Sequence, residues 1–426
     1  MAKYRHAKGP GFLKVFIIIL IVLVSLGIIG GAAYAVYHFT ADKEPEIIET
    51  TAPTETQPPA TVDEPATEPP TEDPQAQYTN LATDYMSNMT DDEKIYQMLV
   101  VTPEALTGVD VATVAGDATK EALKDFPVGG IYYSAQNFED GKQAKDLVNK
   151  SQSYSKTPMF IAVTDEGGEN SPVANKLESS NQFEETIYQK EGAQAVEAYA
   201  GSIATKLKKL GININLAPNA NLDGENAFST DAKTVVDLTS SAIKGFNANG
   251  VIPAVKLFPV GADSDKTLDE LKEAQLTAFA QAIDNGADAI VMSSAKATAI
   301  EDVPAFMSSK VVTDTLINEY KFNGLVLSPM LTDSALSDTY TADDIVTKSI
   351  NAGVNVFVCP SDVEEYTKAI KTALENKTIT QEQIDNSVVK ILALKYKYGI
   401  IPVPATPTPS EISNEATQVT VTEAVE

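Results

Sequence analysis

The side chains with chemistry to offer fall into a few short clusters. Asp165 and Glu166 stand side by side in "TDEGGENS", residues 164–171. Asn219, Asn221 and Asn226 belong to "LAPNANLDGENAF", residues 216–228. Lys256, Asp263 and Asp265 belong to "KLFPVGADSDKT", residues 256–267, and Asp333 closes "SPMLTD", residues 328–333. Two carboxylates facing each other across a cleft, roughly 6.5–9.5 Å apart, can activate a water and protonate a leaving oxygen. Asp165 or Glu166 opposite Asp263, Asp265 or Asp333 is one such pairing. The opposing reading is that loop acids in a strongly acidic chain are solvated charges. For Glu166 the alternative is that it pins a tight turn made by Gly167 and Gly168. Lys256 suits a substrate hydroxyl, or a pairing with Glu166 or Asp165. Asn219 and Asn221 suit ligand hydroxyls, yet asparagine is also a frequent turn former.

Other chemistries are excluded by composition. The only histidines are His6 and His38, so the rest of the chain has no imidazole for proton transfer or metal ligation. Cys359 is the only cysteine, which rules out an intrachain disulfide and a cysteine-based zinc site. No metal site and no cofactor is expected. A formal net charge of −27 over 426 residues argues against nucleic acid as a partner, because phosphate binding needs clustered Lys and Arg.

The elements that must position these residues are short β-branched runs alternating with longer helical patterns. Strands are expected at 98–101, 129–133, 159–163, 212–215, 252–256, 289–293, 325–328 and 355–359. The runs are apolar throughout rather than alternating, as parallel strands covered on both faces should be. Helices are expected at 187–210, 231–249, 267–285, 307–320, 362–376 and 381–398, and Thr90-Asp91-Asp92-Glu93 reads as a capping box. Eight such units predict an α/β fold, a (β/α)8 TIM-like barrel, with the site at the C-terminal ends of the strands. A doubly wound open sheet is the runner-up, but no glycine fingerprint follows a strand.

Both ends depart from this pattern. Residues 1–14 are basic, and 15–37 form an uncharged apolar run long enough to cross a bilayer. Lys3, Arg5, Lys8 and Lys14 before it, and acids after it, place the N-terminus in the cytoplasm and the rest outside. The expectation is a single-pass cell-membrane anchor. A cleaved signal peptide is the rival, given Ala33-Tyr34-Ala35. Residues 38–77 read as a disordered Pro/Thr/Glu-rich linker, 78–401 as the barrel, and 402–426 as a disordered tail.

In order along the chain stand "DEKIYQMLVV", "GGIYY", "IAVTDEGG", "GININLAPNANL", "VKLFPVGADSD", "PAFMS", "FNGLVLS" and "AGVNVFVCPSD". This series resembles glycoside hydrolase family 3, in its single-domain β-N-acetylhexosaminidase branch, over residues 85–400. The resemblance implies a barrel and a retaining hydrolase of N-acetylglucosaminides, often from cell-wall fragments.

The departures fall on the residues that the resemblance makes catalytic. Pro329 stands where the family strand ends in its nucleophilic Asp. Asp265-Lys266-Thr267 stands where an Asp-Ser-His loop supplies the acid–base, with Thr267 in the place of the histidine. The family's "KHFPGHG" is here "KLFPVGA", with Leu257 and Gly261 for two histidines. Its "DQEGGR" is Thr164-Asp165-Glu166-Gly167-Gly168-Glu169, its "RSFG" arginine falls near Asn226, and the histidine of "VM-x-A-H" is Ala295. Of the recognisable polar set, Lys256 and Glu166 remain. A retaining mechanism needs an attacking and a protonating group, and proline and threonine supply neither. The expectation is a catalytically inactive family barrel serving as a carbohydrate-binding or scaffold module at the cell envelope. Its partner would be cell-wall glycan or an envelope protein. The alternative is a divergent glycoside hydrolase using Asp165, Glu166 and Asp263, with Lys256, Asn219 and Asn221 on the substrate.

Overall fold

The computed structural model describes residues 74–167, 172–177, 190–223, 227–332 and 334–404. Its centre is a closed barrel of eight parallel strands in chain order. They are β1 (Leu99–Val101), β2 (Gly130–Tyr132), β3 (Phe160–Val163), β4 (Ile214–Asn215), β5 (Ile252–Phe258), β6 (Ala289–Met292), β7 (Leu325–Met330) and β8 (Val356–Val358). β8 returns to β1, pairing Phe357 with Leu99 and Val358 with Val100. The runs are buried on both faces because barrel lumen and helical layer are both filled with side chains.

Two strands run further than the sequence predicts. β5 continues through Lys256 and Leu257 to Phe258, with a register shift against β6 between Val255 and Phe258. β7 continues through Pro329 to Met330, with a shift against β8 between Leu327 and Met330. A bulge tolerates a proline because it leaves one residue outside the ladder.

Helices occupy most of each expected span, although the one expected from 187 begins at Ala193, with 187–189 outside the described residues, and side-chain caps start many of them. Thr90 and Thr380 form capping boxes, while Asp140, Asp231, Thr341 and Asp362 accept from the first-turn N–H groups. The helix expected over 267–285 is two, Leu268–Glu273 and Gln275–Asp284. Buried Gln275 sits at the break, accepting from the Leu222 N–H at 3.0 Å. Lys310–Glu319 is π-helical, with the Thr315 hydroxyl donating to the Lys310 carbonyl. The first described helix, Pro74–Met86, includes Pro74 to Gln77, which the sequence places in the linker.

The floor of the barrel is closed by the C-terminal helix Gln381–Lys397. Its Lys395 is fully buried and donates to Gln97 Oε1 at 2.8 Å, while Gln97 Nε2 donates to the Pro127 carbonyl at 3.0 Å. Lys395 also lies 4.9 Å from the Phe160 ring centre. The chain passes Gln97 so closely at Gly129 that a Cβ there would fall 1.9 Å from the Gln97 carbonyl oxygen. Among the described residues no helix is long and apolar enough to cross a membrane. The apolar run 15–37, the linker up to residue 73 and the tail from 405 lie outside them.

Candidate site at the barrel mouth

Asp165 and Glu166 follow β3, and β4 fixes them. Asn215 in β4 grips the Asp165 peptide on both sides: its Oδ1 accepts from the Asp165 N–H and its Nδ2 donates to the Asp165 carbonyl, each at 2.8 Å. Two residues earlier Asn213 does the same to β3, accepting from the Ile161 N–H at 2.9 Å and donating to the Met159 carbonyl at 3.1 Å. The Asp165 carboxylate is buried and accepts from the Gly167 N–H at 2.9 Å. Gly167 has φ +72°, a left-handed turn that a glycine accommodates without strain. Asp165 thus holds the turn that aims its neighbour.

Glu166 points at Lys256. Its Oε1 lies 3.2 Å from Lys256 Nζ, and each side chain is 18% exposed. That oxygen is sealed from water and has no well-aligned hydrogen bond, so the contact is a charge pair. Lys256 is held by the loop after β4: its N–H donates to the Pro218 carbonyl at 3.0 Å and its carbonyl accepts from the Ala220 N–H. Asn221 clamps the next peptide, accepting from the Leu257 N–H at 2.9 Å and donating to the Leu257 carbonyl at 2.8 Å. Asn219 Oδ1 accepts from the Asn221 N–H at 2.9 Å. Both asparagines are buried. The amides that suit carbohydrate hydroxyls are therefore engaged in shaping the loop around Lys256.

Asp263 is exposed and accepts from the Lys296 N–H at 2.8 Å. Asp265 is also exposed. Thr267 caps the helix Leu268–Glu273: its N–H and hydroxyl donate to the Glu270 carboxylate at 2.7 and 2.8 Å. Pro329 is buried in β7. Beside it the Ser328 hydroxyl donates to the Pro329 carbonyl at 2.7 Å and accepts from the Val358 N–H at 2.9 Å. At Gly261 a Cβ would come within 3.1 Å of the Asp223 carbonyl and 3.2 Å of Asn221. A larger residue there presses on the loop that holds Lys256. Asp333, Asn226, Gly168 and Glu169 lie outside the described residues.

The remaining polar groups at the strand ends are quiet. The Tyr132 hydroxyl donates to Thr164 Oγ1 at 3.2 Å, and burial holds its pKa above the usual tyrosine range. Burial, with a smaller contribution from the Glu104 charge, pushes the Cys359 thiol up to about 12, so it is no thiolate nucleophile at neutral pH. Among the described residues no group of His, Cys, Asp and Glu could hold a metal ion. Asn213 and Asn215 are the residues that sequence reasoning missed. Their signal is the pair of asparagines inside an otherwise apolar strand, "ININ".

The model of the glycosyl hydrolase family 3 N-terminal domain matches residues 90–394, well over half of the chain. The chain belongs to glycosyl hydrolase family 3. β-Hexosaminidase A of Pseudoalteromonas piscicida is 26% identical over 326 residues, 65% of this chain and 54% of that protein. The chain thus spans about half the length of that relative. A β-hexosaminidase of Haemophilus influenzae is 26% identical over 284 residues, 62% of this chain and 80% of its own. The solved family 3 β-N-acetylglucosaminidase from Paenibacillus sp. str. FPU-7 superposes with a TM-score of 0.67 at 25% identity, covering 76% of this chain and 65% of that one. The match to the N-terminal domain takes in all eight strands of the barrel.

Proposed function

We propose that this family 3 barrel is catalytically inactive and serves as a carbohydrate-binding or scaffold module at the cell envelope, anchored in the membrane by residues 15–37. The observation that carries the reading is Pro329, buried at the end of β7 where the resemblance implies an attacking carboxylate. Supporting it, the Thr267 hydroxyl is held by Glu270, and Glu166 is paired to Lys256 rather than set opposite a second acid. General acid–base assistance contributes roughly 10²–10⁴-fold to such reactions, and a proline nucleophile contributes nothing. The solved β-N-acetylglucosaminidase from Paenibacillus, alongside the β-hexosaminidase relatives, supports N-acetylglucosamine-containing glycan as the ligand class.

The test is to incubate the detergent-solubilised full chain with a fluorogenic N-acetylglucosaminide and, in parallel, with purified peptidoglycan in a pull-down. The reading expects no turnover and retention on peptidoglycan that weakens in Lys256→Met. Turnover that vanishes in Glu166→Gln would replace it with the divergent hydrolase. No turnover and no retention would move the search to protein partners. The anchor is checked by whether alkaline carbonate washing leaves the full chain in the membrane fraction.

A further inference from the structure

At the end of the barrel away from the mouth, the helix Gln381–Lys397 leaves a groove of about 760 Å³ against the loops that lead into β6, β7 and β8. That volume is within the range of sites that hold ligands or peptide segments. One ammonium in it lacks an acidic partner. Lys390 makes a single 3.4 Å contact to the Gly324 carbonyl, and among the described residues no carboxylate pairs with it. Its neighbours in the groove, Asn323 and Asn386, are exposed amides. Ile317 and Val389 add half-buried apolar wall. The second lysine, Lys397, is already paired with Asp288 at 2.7 Å. The groove therefore presents one unmet positive charge, free amides and apolar flanks, the complement of an extended Val/Thr-rich segment carrying a carboxylate.

We propose that this groove binds the chain's own C-terminal tail, with a glutamate of residues 405–426 on Lys390. The tail leaves from the groove's own helix, seven residues after Lys397. It carries Glu411, Glu415, Glu423 and Glu426 and no Lys or Arg, and ends in "QVTVTEAVE", whose valines and threonines suit the walls. The residues between Pro404 and Gln418 can span about 45 Å when extended, more than enough to return to the groove. Burial holds the Lys390 ammonium below the usual lysine range, and a carboxylate beside it reverses that shift.

The experiment is carbodiimide cross-linking of the full chain, which joins a lysine amine to a carboxylate in contact with it, followed by peptide mass spectrometry. The Lys397–Asp288 pair is the internal standard. A Lys390–tail glutamate link alongside the standard is the expected result. The standard without that link overturns the proposal. Mixing isotope-labelled and unlabelled chains sorts the sources, and a mixed-mass link, meaning a tail from a second copy, also overturns it. As a second measurement, a glutamate-specific protease should cut the tail about tenfold faster in Lys390→Gln, the change set by losing one charge-assisted contact. Equal rates in the two proteins count against the tail as occupant.

Discussion

The mouth and the floor of this barrel treat buried polar groups differently. At the mouth, buried Asn215, Asn219, Asn221 and Ser328 bond to nearby main chain, and the mostly buried Glu166 and Lys256 form a charge pair. The asparagines and Ser328 are satisfied within a loop or across one strand pair. At the floor, Lys395 and Gln97 join the last helix to the start of the first strand, nearly the whole length of the domain apart in sequence. Polar side chains at the mouth therefore set local shape, whereas those at the floor hold distant parts of the chain together. Closure itself runs through the backbone pairing of β8 with β1.

Substitutions can break or sharpen this contrast. The largest effect is expected at the floor. Lys395→Ala opens a cavity and leaves Gln97 Oε1 without a donor, which should cost about 2–4 kcal/mol in urea unfolding. Lys395→Met keeps the stem and isolates the titration. Burial pushes the Lys395 ammonium down to about 7 from 10.5, although Gln97 and the Phe160 ring both favour its charged form and offset part of this. The folded chain then loses its proton before the unfolded chain does, so stability rises with pH from about 7 towards about 10.5, by at most ~1.4 kcal/mol per unit. Below that window the contribution is absent. Lys395→Met should flatten the rise, and a wild-type curve already flat over it would show that the ammonium stays charged when buried.

Next comes the mouth pair. Glu166→Gln leaves Lys256 mostly buried without its counter-charge and should cost about 1–3 kcal/mol, with Glu166→Gln/Lys256→Met recovering part of it. Thr267→Ala removes a helix cap and should lower stability by about 1 kcal/mol, read from the urea midpoint. The smallest effect is expected at Asp263→Asn, within about 0.5 kcal/mol, because an exposed amide oxygen can still accept from the Lys296 N–H. On the proposed reading, Pro329→Asp alone leaves a fluorogenic N-acetylglucosaminide uncleaved, because the Thr267 hydroxyl, held by Glu270, supplies no proton-transfer group.

The eight strands were legible because each is a continuous apolar run bounded by turn residues, and parallel burial leaves that mark in the sequence. The extension of β7 was not legible, because proline reads as a strand breaker and only the bulge beside Ser328 excuses it. The break at Gln275 depends on one side chain reaching the loop after β4, a tertiary contact with no local signature. At the site, Lys256 had two open roles, and the structure has it on Glu166. The engagement of Asn219 and Asn221 with main chain could not be read from composition, since asparagine suits a sugar and a loop equally. Thr267 could have been read: "TLDE" is a Thr-x-x-Glu helix start as plain as the one at Thr90.

Closure of β8 onto β1 also bears on how copies of this domain behave together. Each of the eight strands has a hydrogen-bonded neighbour on both sides, so none presents an open row of N–H and C=O groups. Crowded molecules then have no strand in this barrel on which to template intermolecular pairing. The domain can be concentrated, or tethered densely, without its sheet growing from one molecule into the next.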